Sequence, residues 1–125
     1  MLIDSDVLIR YIQGNKNAQT AVNKNMPFQI SVVTYMEVIQ GMKDKTELKI
    51  FQKYLKKWPV RIIQIDENIS TRAMFLMEDY SLTHSLELGE AIIASTALEN
   101  QEILLTGNDK HYKFIPNMQI QKFKP

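Results

Sequence analysis

The chain contains no cysteine. This absence excludes disulfide bonds, thiolate metal ligands and a cysteine nucleophile, and it is typical of proteins in a reducing compartment. Long apolar runs are also missing. The hydrophobic start ends at Asp4, which leaves neither a signal-peptide core nor the roughly 18 apolar residues of a membrane helix. We therefore expect a cytoplasmic protein with no membrane segment.

A strong net charge is lacking too, since the formal charge is only +1. The distribution is nevertheless uneven, with seven basic and two acidic residues between Lys43 and Arg61. Basic stretches can follow a phosphate backbone, although any one of these lysines is more readily explained by the solvated face of a helix. The lysines singled out as candidate contacts to such a phosphate backbone are Lys43, Lys45, Lys49, Lys110 and Lys113.

What is present is a chain of 125 residues, 45% of them hydrophobic. That length suits one domain with a core of its own, and we expect residues 1–125 to form it. Apolar segments typical of strands alternate with amphipathic segments typical of helices. The predicted strands are 1–3, 28–32, 60–65, 103–106 and 118–123, and the predicted helices are 7–13, 18–24, 34–42, 47–57, 67–80 and 89–100. This alternation predicts an α/β fold with a mostly parallel central sheet flanked by helices.

Acidic and polar residues stand just beyond the predicted strand ends. In parallel α/β sheets ligands bind beyond the carboxyl ends of the strands. Carboxylates that meet at such an edge stay ionised together only if a cation neutralises them, and oxygen ligands favour Mg²⁺ or Mn²⁺ over zinc. Asp4 and Asp6 follow the first strand, Glu37 lies one turn into the helix after the second, and Asn108 and Asp109 follow the strand 103–106. Glu90 stands at the start of the helix that leads into that strand, where it can face the same edge.

Each acid also has a purely structural interpretation. Asp4 or Asp6 can cap the following helix, and Glu37 completes a T-x-x-E capping box. Glu90 lies in a first helical turn, where the helix dipole favours it, and residues 108–109 can form a turn. Any one of these interpretations is plausible alone. The functional interpretation gains only from all of the acids falling at one edge.

Four stretches together resemble the PIN domain family, and most of all the small VapC-type toxins of bacterial toxin–antitoxin pairs. They span residues 2–112, nearly the whole chain, and they read LIDSDVLI, SVVTYMEVIQG, LGEAIIASTALE and LLTGNDKHY. Singly these motifs are weak, but their order and spacing together are fairly specific.

The resemblance implies a metal-dependent ribonuclease that uses Mg²⁺ or Mn²⁺. By position, Asp4, Glu37 and Glu90 would be its three metal-binding acids and Asn108 would take the fourth place, with Asp109 beside it. Two departures stand out: the third position is more often Asp, and the fourth is often an acid. Asp6 replaces a common Asn and so restores one charge.

The implied reaction is hydrolysis of an RNA phosphodiester by a water whose pKa the metal lowers. Thr106, Asn108 and Asp109 would orient water or a further metal. The implied partners are the RNA substrate, a cognate VapB-like antitoxin whose tail fills a groove formed largely by residues 34–57, and a second copy of the chain in a homodimer.

Two other functions stay open at this point. One is a PIN-like module with weak or no catalysis that binds RNA or a partner, which the neutral Asn108 favours. The other is a phosphohydrolase of the haloacid dehalogenase type, whose early D-x-D motif corresponds to residues 4–6. This second alternative gives no role to Glu37 or Glu90. A receiver-type signalling module would need a phosphate-accepting Asp after a middle strand. Between Lys45 and Val60 the only acid is Glu47, which lies in the basic helix, so this function is excluded.

Overall fold

The computed structural model describes residues 1–125 and contains the predicted strands and helices in the predicted order. The strands are β1 Leu2–Ile3, β2 Phe28–Ser31, β3 Val60–Ile63, β4 Leu104–Thr106 and β5 Ile120–Lys122. The helices are α1 Ser5–Ile12, α2 Lys16–Lys24, α3 Val32–Gln40, α4 Lys45–Lys57, α5 Glu67–His84 and α6 Leu88–Glu99, and a 3-10 turn spans Asp109–His111. None of these helices is both long and apolar enough to cross a membrane.

The five strands form one sheet in the order β3-β2-β1-β4-β5, and every neighbouring pair is parallel. The predicted α/β fold is thereby confirmed, with a sheet that is wholly rather than mostly parallel. Because all strands run the same way, their carboxyl ends share one edge. The first strand lies in the centre, so Asp4 directly after it stands in the middle of that edge.

Two layers of helices cover the two faces of the sheet. Successive strand residues point to opposite faces, and accordingly Leu2 and Leu104 pack with α5 and α6 whereas Ile3 and Leu105 pack with α1 to α4. Buried alanines of α6 allow α5 to pack against it. These two apolar clusters hold the sheet rigidly between helices, and the polar edge rests on that support.

Side-chain caps begin most of the helices. Asp4 accepts a hydrogen bond from the Ser5 N–H, as its capping interpretation predicts, and Asp66 accepts one from the Ile69 N–H. Between α1 and α2 the chain turns at Gly14, whose φ of 88° suits glycine best. Asn15 then caps α2. The end of α1 is thus set by local residues, as its start is set by the Asp4 cap.

Candidate active site

Asp4 is a buried carboxylate, only 3% exposed, at the end of the central strand. Its Oδ1 accepts from the Ser5 N–H at 2.8 Å, and its Oδ2 accepts from the hydroxyls of Thr106 at 2.8 Å and Tyr112 at 3.1 Å. Burial raises the pKa of Asp4, and these hydrogen bonds oppose the rise only in part. Asp4 is thus both a helix cap and a desolvated acid with no charge partner of opposite sign.

Ser5 connects Asp4 to Glu37. The Ser5 hydroxyl donates to Glu37 Oε1 at 3.0 Å and lies 3.4 Å from Asp4 Oδ1. Burial raises the pKa of Glu37; the Ser5 hydrogen bond lowers it, and the charges of Asp4, Glu90 and Glu87 raise it further. The acids that follow β1 and β2 therefore meet at one place, as the parallel topology predicts.

The capping-box interpretation of Glu37 is wrong. Helix α3 begins immediately after β2, and Ser31 caps it by accepting from the Val33 N–H at 3.0 Å. Thr34 is therefore inside the helix, where its hydroxyl is buried without a hydrogen-bond partner. Glu37 lies in the second turn, too far along to reach the helix start, and its carboxylate contacts Ser5 instead. Helix capping therefore does not explain why a glutamate stands at this position on the sheet edge.

Gly89 allows Glu37 to lie close to the start of α6. A Cβ atom at Gly89 would be 2.8 Å from Glu37 Oε2, closer than real Cβ contacts come. The absence of a side chain there leaves the space that the carboxylate occupies. Gly89 thus belongs to the site, although the sequence patterns did not single it out.

Glu90 follows its structural interpretation. Its Oε1 accepts from the Glu87 N–H at 3.0 Å in a capping box of α6, and its Oε2 contacts His111 Nδ1. The charge of Glu90 still raises the pKa of Glu37. Glu90 is therefore near the Asp4–Glu37 pair, with both oxygens engaged elsewhere.

The residues after β4 separate into different roles. Thr106 donates to Asp4, and it also accepts from the Asn108 N–H at 3.0 Å, so its proton and one of its two lone pairs are used within the protein. Asn108 is exposed. The Asp109 carboxylate lies 3.6 Å from Lys122 Nζ on β5. The structure therefore brings Thr106 to Asp4 but pairs Asp109 with a lysine.

Tyr112 is a second site residue that the sequence patterns did not single out. It is only 2% exposed, and its hydroxyl reaches Asp4 across a separation of 108 residues in the chain. Burial, with the charge of Asp4 second, raises the pKa of Tyr112 far above its usual value, so the hydroxyl remains a donor. The one available signal was the tyrosine at the end of the LLTGNDKHY stretch.

The donor set fits a hard divalent cation. None of the four ion pairs of the chain includes Asp4, Asp6 or Glu37. All three acids have raised pKa values. No three acidic or histidine side chains are grouped closely enough to hold one metal ion. Mg²⁺, however, is commonly held by one or two carboxylates together with water. Asp4 and Glu37 suffice for that arrangement.

The PIN domain family matches residues 1–115 of this chain. The chain belongs to the PIN domain family. The resemblance predicted from the four sequence stretches is thereby confirmed. No curated protein sequence matches the chain. Membership gives no support to the phosphohydrolase alternative.

Solved structures agree with this assignment. In a toxin–antitoxin complex from Klebsiella pneumoniae, one chain is 30% identical, with a TM-score of 0.80 over 97% of this PIN domain chain and 95% of that chain. VapBC from Salmonella typhimurium, bound to DNA, has a TM-score of 0.83 at 18% identity and covers 97% and 96% of the two chains. VapBC2 from Rickettsia felis, bound to promoter DNA, has a TM-score of 0.81 at 18% identity and covers 98% of each. The last two, at 18% identity, show the PIN fold alone.

The buried carboxylate of Asp6 makes the folding stability of this PIN domain depend on pH. Its Oδ2 accepts from the Gly107 N–H at 2.8 Å, while its Oδ1 is buried without a partner. Burial, with the charge of Asp4 second, raises the pKa of Asp6 from 3.8 to about 6. Since the folded pKa is above the unfolded one, the stability that protonated Asp6 contributes at low pH is lost as the pH rises through about 6.

We therefore expect Asp6→Asn to gain stability relative to wild type as the pH rises. Between about pH 4 and about pH 8 the difference in unfolding free energy should change by about 2 kcal/mol in favour of Asp6→Asn. Urea unfolding in EDTA measures it. Asp79→Asn, at an exposed side chain of α5, is the matched control. An equal change in both variants would show that burial of Asp6 is not the cause.

Proposed function

We propose that this chain is a metal-dependent ribonuclease and the toxin of a type II toxin–antitoxin pair. The observation that carries the proposal is the junction of Asp4 and Glu37 through Ser5, whose N–H donates to Asp4 and whose hydroxyl donates to Glu37, beyond the carboxyl ends of two adjacent parallel strands. Two desolvated carboxylates this close, with no lysine or arginine paired to them, suit a divalent cation. PIN membership and the Klebsiella pneumoniae neighbour supply the chemical context.

In this proposal Asp4 and Glu37 hold Mg²⁺ or Mn²⁺, and Glu90 is the third acid. When bound, the cation supplies positive charge that lowers the pKa of water and stabilises charge on the phosphate. Ser5 sets the separation of the two carboxylates. Each oxygen of Glu90 already has one partner, the Glu87 N–H or His111. Asn108, with an exposed amide, is free to contact water or phosphate. The whole of residues 1–125 is proposed to act as one nuclease domain in the cytoplasm.

A second candidate, a PIN module with little catalysis, has its own support. Glu90 is engaged by its helix cap and by His111, Asn108 is neutral, and Asp109 is paired with Lys122. Only two carboxylates, Asp4 and Glu37, are linked through Ser5, so the site carries less negative charge than a site with three or four acidic ligands. Such a protein would bind RNA without cutting it.

The deciding experiment incubates a mixed RNA pool with the purified chain in Mg²⁺, in Mn²⁺ and in EDTA. A ribonuclease cleaves with either metal and stops in EDTA, and re-adding metal restores cleavage. Cleavage that persists in EDTA would contradict the metal-dependent mechanism. RNA binding without cleavage in any condition would favour the second candidate.

The exposed lysines provide a separate test of RNA binding. Lys45 and Lys49 lie in the first turns of α4 and Lys43 lies just before it, and all three are exposed. We expect Lys43→Ala/Lys45→Ala/Lys49→Ala to weaken binding to single-stranded RNA and to reduce the salt slope of log K by about 2, since each phosphate contact contributes about 0.7. Binding to the uncleaved RNA is measured at several salt concentrations, with Asp4→Asn as the common background.

The control for this prediction is Lys24→Ala, at an exposed lysine of α2, which should leave the slope unchanged. Lys110→Ala/Lys113→Ala reports on the second proposed RNA contact near the site. If all variants keep the wild-type slope, RNA follows some other surface.

A VapB-like antitoxin and a homodimer complete the proposal. The antitoxin is supported by the neighbours, which are toxin–antitoxin complexes. Exposed apolar side chains near the start of α6 and on α5, Leu88 at 65% and Met74 at 61%, are the kind of surface that a protein partner covers.

Production of the chain should stop bacterial growth, and a co-produced antitoxin should restore it. Light scattering gives the oligomeric state, and a strictly monomeric chain would contradict the dimer.

A further inference from the structure

Tyr112 places a hydroxyl at the most buried acid of the site. Its ring packs in the core between the sheet and helices α5 and α6. The hydroxyl has one partner, Asp4 Oδ2, at 3.1 Å. A buried tyrosine hydroxyl normally needs a partner. Here the partner is a proposed metal ligand rather than a backbone carbonyl, and this links the core to the site.

The hydrogen bonds of Asp4 are unequally shared between its two oxygens. A carboxylate oxygen offers about two acceptor sites. Oδ2 uses both, because it accepts from Thr106 at 2.8 Å and from Tyr112. Oδ1 accepts one short bond from the Ser5 N–H at 2.8 Å. The single proton of the Ser5 hydroxyl goes to Glu37 at the shorter distance of 3.0 Å, not to Oδ1 at 3.4 Å. Only Oδ1 therefore keeps an acceptor site free.

We propose that Tyr112 is a positioning residue which, together with Thr106, saturates Oδ2 of Asp4 and commits Oδ1 to the divalent cation. This inference rests on the proposed function, since it concerns how a proposed ligand is held. It also assigns Thr106 to Asp4 rather than to a water. The terminal torsion of an aspartate is broad and nearly two-fold, and two hydroxyl donors on one oxygen remove that freedom.

The test is the affinity of the full chain for Mn²⁺, measured by the loss of the free Mn²⁺ signal in electron paramagnetic resonance. Tyr112→Phe keeps the ring and removes only the hydroxyl. Loss of an outer hydrogen bond to a metal ligand typically weakens metal binding by a factor of 10 to 100, and we expect the dissociation constant to rise about tenfold. Thr106→Val, which removes the other donor from the same oxygen, should act in the same direction.

Tyr11→Phe is the matched control. Tyr11 is also buried, at 7% exposure, but its hydroxyl faces Asn23 Oδ1 at 3.4 Å instead of the site. We expect it to leave the Mn²⁺ dissociation constant unchanged. Urea unfolding without metal is recorded for all variants, because a merely structural role of Tyr112 would lower the unfolding free energy and leave Mn²⁺ affinity as it was.

The outcomes separate this inference from the proposed function. If the wild-type chain binds no Mn²⁺, the proposed metal site fails and the inference fails with it. If wild type binds and Tyr112→Phe binds equally well, the positioning role is overturned while the metal site stands. If Tyr112→Phe does not fold, Thr106→Val tests the same oxygen of Asp4. An unchanged Mn²⁺ affinity in that variant would overturn the proposal.

Discussion

Asp4→Asn should abolish RNA cleavage while leaving the protein folded. The substitution removes one charge from the proposed metal site at constant size. Since loss of an outer partner alone costs a factor of 10 to 100 in metal affinity or activity, loss of a ligand charge should cost more than about a hundredfold. Folding is preserved because Asn is as good a helix cap as Asp. The hydroxyls of Thr106 and Tyr112, which now donate to Oδ2, can turn to accept from the new amide.

Cleavage of the RNA pool and Mn²⁺ affinity are measured side by side, with thermal unfolding as the check of folding. Asp66→Asn is the matched control, since it makes the same chemical change at another helix cap, that of α5. It should retain wild-type cleavage. A folded Asp4→Asn that cuts RNA at the wild-type rate would show that Asp4 is a helix cap only, and the metal proposal would lose its central ligand.

Gly89→Ala should reduce cleavage by about a hundredfold without removing any charge. The new Cβ would come within 2.8 Å of Glu37 Oε2 and 3.5 Å of its Cδ. The glutamate side chain is flexible and can move away, so the clash is relieved by displacing the carboxylate from Ser5. A misplacement of about 1 Å at a reacting centre can cost about a factor of 100. Helix stability should not fall, because Ala is the better helix former by about 1 kcal/mol.

Gly41→Ala is the control for this prediction. A Cβ there would make ordinary contacts, the nearest at 3.5 Å from the Glu37 carbonyl oxygen and the Ile9 side chain. It should leave cleavage unchanged. Rates with saturating Mn²⁺ and at limiting Mn²⁺ are compared for both variants, because a displaced Glu37 weakens metal binding first. Full activity in Gly89→Ala would mean that the position of Glu37 is unimportant to the reaction.

Several parts of the site could be predicted from the sequence. The strands and helices each have a local pattern of apolar residues, and a strand–helix alternation leaves a parallel sheet as the ordinary outcome. Once the sheet is parallel, Asp4 and Glu37 must approach the same edge. The relative closeness of these two acids therefore followed from topology alone. Boundaries were harder: α3 starts at Val32 rather than two residues later, because Ser31 caps it directly after β2.

Other parts were not contained in any local pattern. Glu90 was correctly placed at the start of α6. Its contact with His111 could not be predicted, because the two residues are 21 apart in the chain. Asp109 was expected beside the other acids, and its pairing with Lys122 on the neighbouring strand became visible only with the register of β4 and β5. Tyr112 read as the end of a motif, with nothing to indicate that its hydroxyl reaches the first acid.

The sequence by itself determined the order of the elements, the parallel sheet and the edge at which the acids gather, because apolar periodicity and strand ends are properties of neighbouring residues. Only the tertiary structure decided which oxygen of Asp4 is saturated, which acid Ser5 joins to it, and which acids are engaged elsewhere. Those choices depend on side-chain torsions and on hydrogen bonds between segments that are distant in the chain, by more than a hundred residues for Asp4 with Thr106 or Tyr112. Such bonds form only when the core has brought the segments together.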